Sequence, residues 1–481
     1  MKSKLRSYIN ILLLFVTTLL VGCNPSIKEG ASKSLVVDAG VDQQVEEHTK
    51  VTLLGNVSSN SFSPINSYAW TQTSGPSVKL IRTDLYIAHF YAPEVSEPTS
   101  LTFQLDAGDA NQKSAYDYVT VIVTNVDNAL SGRVSFASAI QFDVGGRPIS
   151  GALADFDGNG NMDLVTINLN DAAVFTGNGD GTFNTPQIYI AGRKPTDINA
   201  IDINNDGMID IVVTDTNSSQ VLVLLANGDG TFKSPLMQSI AMQSGNLALA
   251  DFNADGFADL ILVQPGASPS DNTNISSYIG LGNGSFELMQ RLPLGNLPKA
   301  IAVTDLNVDG IPDAVITDDY SLVDRLFIVQ GLGDGTFATG APYEVGWSPF
   351  AIATGDLNGD KFPDVVTANL DSDDVSILLG DGDGTLKPQS RIYSGGHPSS
   401  IAVADMDNDG VLDIVTANNF TSLIAIHLGI GNGTFNRAGY VVMPEKPLKV
   451  LISDLNNDDY LDVVTVNGRS ENVSVLMQKS K

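Results

Sequence analysis

The sequence predicts an all-β protein: a β-sandwich of about ninety residues followed by a seven-bladed β-propeller. Three observations carry this. A nine-residue loop recurs seven times, starting at Asp155, Asp202, Asp251, Asp305, Asp356, Asp405 and Asp454, with starts separated by 47 to 54 residues. Each interval holds four short apolar runs, and a period near fifty with four strands per copy is that of a propeller blade. Ahead of the repeats, Leu101-Phe103-Leu105 and Val119-Val121-Val123 alternate as half-buried strands do.

The N-terminus stands apart from the fold. Lys2, Lys4 and Arg6 precede an apolar run from Ile9 to Gly22, which is too short and wrongly flanked for an ordinary membrane span. Residues 1–22 therefore read as a secretory signal peptide. The run ends in Leu20-Val21-Gly22-Cys23, and Cys23 is the only cysteine of the chain, so it has no internal disulfide partner. This stretch resembles a bacterial lipobox. The resemblance implies cleavage before Cys23, a lipid on its sulfur, and a membrane partner reached through that lipid. Asn24 rather than Asp follows, which by the same resemblance permits outer-membrane delivery and a place at the cell surface. A polar linker, 23–34, leads on.

Residues 35–126 form the sandwich. Short strands lie between Gly, Pro, Asn and Ser clusters, and Trp70 is a core candidate. The stretches "VDAGVD", "VTLLG" and "YAWTQTSGP" resemble bacterial polycystic-kidney-disease (PKD) domains, which implies an Ig-like sandwich. Such domains often carry an acidic turn where this chain reads "SSNSFSP", so no metal site is expected there. The expected role is a spacer between the membrane and the next domain.

After a linker, 127–134, the repeats fill 135–481. A second marker falls between the loops: "GNGDGTF", "ANGDGTF", "GLGNGSF", "GLGDGTF", "GDGDGTL" and "GIGNGTF". The seventh copy stops at "NVSVLMQKSK" without it, and a stray one, "VSFASAIQFDVGG", precedes the first loop. The N-terminal strand is therefore expected to complete the last blade, which removes an open sheet edge. The repeats resemble the FG-GAP/VCBS family and the head of integrin α chains, over 135–481.

The loops read D-x-[DN]-x-[DN]-G-x-x-D in five of the seven copies. Oxygen ligands at positions 1, 3 and 5, a backbone carbonyl at 7 and a carboxylate at 9 can wrap a hard cation, and calcium (Ca2+) is the expected one. The candidate ligands are Asp155, Asp157, Asn159, Asn161 and Asp163; Asp202, Asn204, Asp206, Met208 and Asp210; Asp251, Asn253, Asp255, Phe257 and Asp259; Asp305, Asn307, Asp309, Ile311 and Asp313; Asp356, Asn358, Asp360, Phe362 and Asp364; Asp405, Asp407, Asp409, Val411 and Asp413; and Asp454, Asn456, Asp458, Tyr460 and Asp462. Gly at position 6 permits the sharp turn. Lys361 and Asp459 stand there in the fifth and seventh copies, where a left-handed backbone is expected all the same. Acidic residues outnumber basic ones 55 to 26, for a net charge of −29. Most of that excess sits in these loops, and it argues against nucleic acid as a partner.

Ligand reading is expected on the opposite face, where repeat positions vary. Each crossing between blades ends in a G-x-P-like step. The residue before the Pro position runs Arg147, Lys194, Gln243, Leu297, Ser348, His397 and Lys446 around the ring, with Arg193 and Trp347 beside it. The second-to-third-strand loops add Tyr320, Phe420, Arg469 and a long insertion in the third blade. A basic half beside an aromatic half suits an acidic glycan, through ion pairs and ring stacking. Three functional classes follow: a surface binding or adhesion module for a glycan or protein, which is favoured; a polysaccharide lyase or other carbohydrate-active propeller enzyme, since some lyases resemble such propellers, with His397 or Tyr320 as base; and a structural subunit of an envelope complex. No nucleophile motif or phosphate loop is present, so no catalytic residue is assigned.

Overall fold

The structure is a computed structural model and describes residues 35–479 apart from 48, 60–63, 94, 96, 125–132, 241–244, 265–273, 296, 320–323 and 437–438. The signal peptide, Cys23, Tyr320 and most of the third-blade insertion lie outside the described residues. Every described element is a β-strand.

In the sandwich, the main sheet orders Gln43–Glu46, Ser114–Thr124, Thr99–Asp109 and Ile65–Ser74. The first pair is parallel and the others antiparallel. Lys50–Leu54 pairs with Ile87–Tyr91 in a second layer, and Leu35–Asp38 with Asn56–Ser59. One residue in two from each layer points inward. Leu53 and Phe90 thus meet Trp70, Leu101, Phe103 and Val121 in one core, with the Phe90 and Phe103 rings 4.6 Å apart.

Beyond residue 134 the chain forms seven four-stranded antiparallel sheets. In the first, Ser150–Ala154, Asp163–Ile167, Asp171–Phe175 and Gln187–Ile190 follow one another outward. Innermost strands of successive sheets pack side by side, and Lys449–Ser453 of the seventh returns against Ser150–Ala154 of the first. The ring is closed. Its last sheet orders Lys449–Ser453, Asp462–Asn467, Asn472–Leu476 and then Ile140–Asp143, with Val473 opposite Phe142. A segment from the start of the propeller thus covers the edge at its end.

Each sheet is sandwiched between two neighbours, so its second strand is buried on both faces. All six residues of Asp210–Asp215 are buried, and the same holds for Asp413–Asn418. This is why the repeats read as apolar runs without alternation. The nine-residue loops join first to second strands. They share one face of the ring with the "GDGTF" turns, while the crossings between blades lie on the other.

Candidate functional site

All seven loops close in the same way. The carboxylate at position 1 accepts the backbone N–H groups of positions 5 and 6, as Asp202 does from Asp206 and Gly207 at 3.1 and 2.8 Å. The carboxylate at position 9 is buried and accepts two more. One comes from position 2 of its own loop and one from the end of the third strand. For Asp413 these are Met406 and Gly429, both at 2.7 Å; for Asp462 they are Leu455 and Gln478 at 3.0 and 2.7 Å. The ninth residue therefore ties each loop to the neighbouring turn.

Position 6 is left-handed throughout: φ is 84° at Gly207, 72° at Lys361 and 66° at Asp459. Position 4 is left-handed too, as at Asn205, Ala254, Val308, Asn408 and Asn457. Sequence reasoning missed this, although Gly158, Gly359 and three Asn residues at that position carried the signal.

The loops fit a hard cation. Carboxylate oxygens of Asp155, Asp157 and Asp163 lie within 4.8 Å of one another, as do those of Asp405, Asp407 and Asp413. Burial, opposed by the two backbone hydrogen bonds and reinforced by neighbouring carboxylates, pushes Asp413 up to about 7 and Asp210 and Asp364 to about 6. Such groups are short of positive charge, and an all-oxygen donor set offers a calcium-like ion what it prefers.

The sixth loop departs from the rest. It carries four carboxylates at the ligand positions where each other loop carries three. Elsewhere an Asn amide joins positions 3 and 5, as Asn204 Nδ2 does to Asp206 at 2.9 Å and Asn159 Nδ2 to Asp157 at 2.9 Å. The sixth loop has no such Asn. Arg133, from the segment between the domains, takes its place: Nε lies 2.6 Å from Asp407 Oδ2, and another guanidinium nitrogen contacts Asp409.

On the opposite face, Arg147, Arg193, Lys194 and Arg469 are exposed. They come from blades 7, 1 and 2, which are neighbours in the ring. Arg147 Nε donates to the Gly468 carbonyl at 2.5 Å, across the seam between first and last blades. Trp347 is 68% exposed.

The aromatic half is different from expectation. His397, Phe420 and Lys446 pack against the sandwich instead of lining an open mouth. Tyr91 of the sandwich lies 5.4 Å from the Phe420 ring, and Lys79 and Lys446 stand over that ring at 5.3 and 5.5 Å. At the centre is Asp373. It accepts from Tyr91 Oη at 2.7 Å, His397 Nδ1 at 2.8 Å and Lys50 Nζ at 2.6 Å. Burial alone would raise the Asp373 carboxyl, but the hydrogen bonds from His397, Lys50 and Tyr91 hold it well below the usual carboxylate range. The sandwich is thus docked on the fifth and sixth blades. No sequence signal marks this contact, because Lys50 and Asp373 are 323 residues apart.

A second site unmarked by the sequence is the mouth of the central channel, a cavity of about 390 Å³ lined from all seven blades. Lys449 Nζ meets Ser150 Oγ there at 2.7 Å, and Lys299 Nζ lies 4.1 Å from the Phe350 ring centre. These residues fall one to three positions after the Pro step and stand out only once the repeats are aligned.

Fold and loops define the class: a repeat propeller with acidic loops on one face, joined to a sandwich. The chain belongs to the FG-GAP-like repeat family, whose model matches residues 155–213, 202–262, 251–316, 305–367 and 356–416. A PKD domain model matches 39–123. No curated protein matches. Among solved structures, the chain is similar to the periplasmic gluconolactonase PpgL of Pseudomonas aeruginosa, with 14% identity, 73% of this chain and 93% of that one covered, and a TM-score of 0.47. It is similar to the V. cholerae biofilm matrix protein Bap1, with 13% identity, coverage of 72% and 88%, and a TM-score of 0.41. The PKD domain from the KIAA 1837 protein matches at 28% identity, over 22% of this chain and 99% of that one, with a TM-score of 0.18. A repeat propeller joined to a PKD domain points to an extracellular or surface binding protein.

The raised ninth-position carboxylates have a measurable consequence. Between pH ~4 and ~7 the metal-free native chain holds protons that the unfolded chain has lost, so its stability falls as pH rises through that window. Asp373 acts in the opposite sense only below the ordinary carboxylate range, and buried His427, lowered to about 4, opposes the trend up to pH ~6.5 as one group against three raised aspartates. In the presence of a chelator, calorimetry should show a higher melting temperature at pH 5 than at pH 7.5, and added calcium should remove the difference. A chelated protein that becomes more stable towards pH 7.5 would refute the assignment.

Proposed function

We propose that the chain is a lipid-anchored binding protein of a bacterial cell envelope. Calcium in the acidic loops stabilises the propeller, and the face opposite them takes an acidic glycan. One observation carries the ligand class. In a protein of net charge −29, four exposed basic side chains, Arg147, Arg193, Lys194 and Arg469, gather on three adjacent blades, with Trp347 exposed on the same face. Calcium on the far face would offset part of the surrounding negative field, leaving the basic patch free to attract an anion. A surface protein with an acidic segment is the alternative ligand. His397, the lyase candidate within the described residues, has its Nδ1 committed to Asp373.

The ligand test uses polygalacturonate and alginate as acidic probes and dextran as a neutral one. Arg147→Ala with Arg193→Ala should weaken retention of the acidic probes by about tenfold, equivalent to ~1.4 kcal/mol, and flatten its salt dependence. Trp347→Ala should weaken retention with little change in salt response. Equal retention by parent and variants would move the site elsewhere, and new unsaturated chain ends would turn the assignment to a lyase.

Calcium is tested at the loop that differs. Removing the Arg133 guanidinium leaves four carboxylates without their internal cation, so Arg133→Gln should raise the affinity of the sixth loop several-fold within the weak extracellular range of ~10⁻⁴–10⁻³ M. Calcium titration calorimetry of parent and variant reads this directly. An unchanged isotherm would show that Arg133 does not act on calcium binding.

The anchor is tested by Cys23→Ala. The variant should lose fatty-acid labelling and leave the membrane fraction, or remain unprocessed. Labelling equal to the parent would exclude Cys23 as the lipid site.

A further inference from the structure

Neighbouring blades meet at seven seams, and these are of two kinds. In four of them, a side chain of one blade's outer strand bonds the backbone N–H of the last turn residue in the next blade. Tyr189 Oη does this for Phe232 at 3.2 Å, Gln238 for Phe286 at 2.8 Å, Gln290 for Phe337 at 2.8 Å and Tyr343 Oη for Leu386 at 3.1 Å. At the other three seams the matching residue is Ile392, Val441 or Phe142, opposite Val375, Ile424 or Val473 as Tyr189 is opposite Ala172. None of the three has a group to form the bond, and a cavity reaches Ile392, between the fifth and sixth blades.

The facing strand is altered as well. Two residues before the end of the third-strand framework, six blades carry Phe175, Leu224, Tyr278, Val329, Leu378 and Leu476. All six are buried. The sixth blade carries His427 there. Apart from the Tyr278 hydroxyl the position is given to apolar packing, and the imidazole of His427 breaks that pattern, as happens at functional sites.

The seam is open at this point. A cavity of about 710 Å³ lies along it, lined by Trp347, Arg391, Tyr393, His427, Phe435 and Tyr440, with Thr49 and Lys50 of the sandwich at its rim. His427 is 3% exposed, yet its Nε2 has no hydrogen-bond partner among the described residues. Burial lowers its pKa to about 4, against a backbone hydrogen bond to Asn436, so the ring is neutral near pH 7. With Nδ1 engaged by that carbonyl, Nε2 is left as an acceptor. An unmet buried acceptor is costly unless an occupant of the cavity brings a donor.

The lining limits what that occupant is. Four aromatic rings offer flat apolar faces. The cations at the mouth are matched by acids: Lys50 Nζ lies 2.6 Å from Asp373, and Arg391 contacts Asp374. Asp371 adds a further carboxylate to the lining, so an anionic ligand is disfavoured and a hydroxyl donor is suited. We infer that the seam between the fifth and sixth blades is a second binding site, for a neutral hydroxylated ring such as a single sugar residue, whose hydroxyl donates to His427 Nε2 while its C–H face packs on the aromatic lining. The volume suits one or two such rings. This site shares Trp347 with the proposed glycan face but none of its basic residues, and it does not rest on the acidic-glycan assignment.

The test uses the full-length protein in calcium, with the methyl glycosides of glucose, galactose, mannose and N-acetylglucosamine as probes, one at a time, by saturation-transfer NMR and titration. At least one glycoside should bind. His427→Leu, which installs the residue found at this position in three other blades, should weaken that binding at least tenfold without lowering the melting temperature. His427→Gln, which restores an acceptor, should recover part of it. Arg147→Ala with Arg193→Ala should leave it unchanged. Absence of binding by all four probes would overturn the inference, and so would binding that a folded His427→Leu variant retains. Loss of glycoside binding in the arginine variants but not in His427→Leu would also overturn it, by placing the sugar on the basic patch.

Discussion

The buried aspartate at the ninth loop position is the constraint on which the propeller is built. In each blade one carboxylate holds two backbone N–H groups, one from its own loop and one from the end of the third strand, at 2.7 to 3.2 Å. It fixes how the first-to-second connection sits against the third-to-fourth one. The same aspartate is buried next to other carboxylates, which raises the free energy of its charged form. The interaction that orders the blade also leaves a carboxylate cluster that suits a cation. Acidic loops and blade geometry are therefore one device, repeated seven times.

That repetition frees the opposite face. With one end of the ring committed to loops that cannot vary without losing the tie, variation is confined to the crossings and to the second-to-third-strand connections. Basic residues gather on blades 7, 1 and 2, while blades 5 and 6 hold the sandwich. The departures from the repeat are informative for the same reason. Asp407 adds a carboxylate to the sixth loop and Arg133 answers it; His427 replaces an otherwise packed core residue, and a cavity lies beside it and Ile392. All four lie on or beside the sixth blade, where the interdomain segment and the sandwich also meet the ring.

The docked sandwich changes what the propeller presents. Asp373 is held by Lys50 and Tyr91 from one domain and His397 from its own, so a buried charge is matched across the interface. Removing any one partner would leave the others desolvated and less well paired, which costs more than an exposed ion pair contributes. The contact covers His397 and Phe420 and leaves Trp347 exposed at its edge.

Much of this was legible in the sequence, because the information was local and repeated. Asp-x-Asn-x-Asp-Gly within nine residues specifies its own turn through side-chain-to-backbone bonds, and a spacing near fifty counts the strands between turns. The stray "GTF"-like segment at 135–145 revealed the closing strand for the same reason: it matched its siblings in spacing. The left-handed residue at position 4 was legible too but masked by Ala254 and Val308, which give no hint of it. The domain contact and the open seam were not legible. Lys50, Tyr91 and Asp373 are ordinary residues in their own neighbourhoods, and His427 in "LIAIHLG" reads as one more strand residue. Turn geometry depends on atoms a few bonds apart, so composition and spacing encode it. Docking and seam packing depend on surfaces brought together only after the ring has closed, and so the tertiary structure alone decided which of the basic and aromatic residues remain open to a ligand.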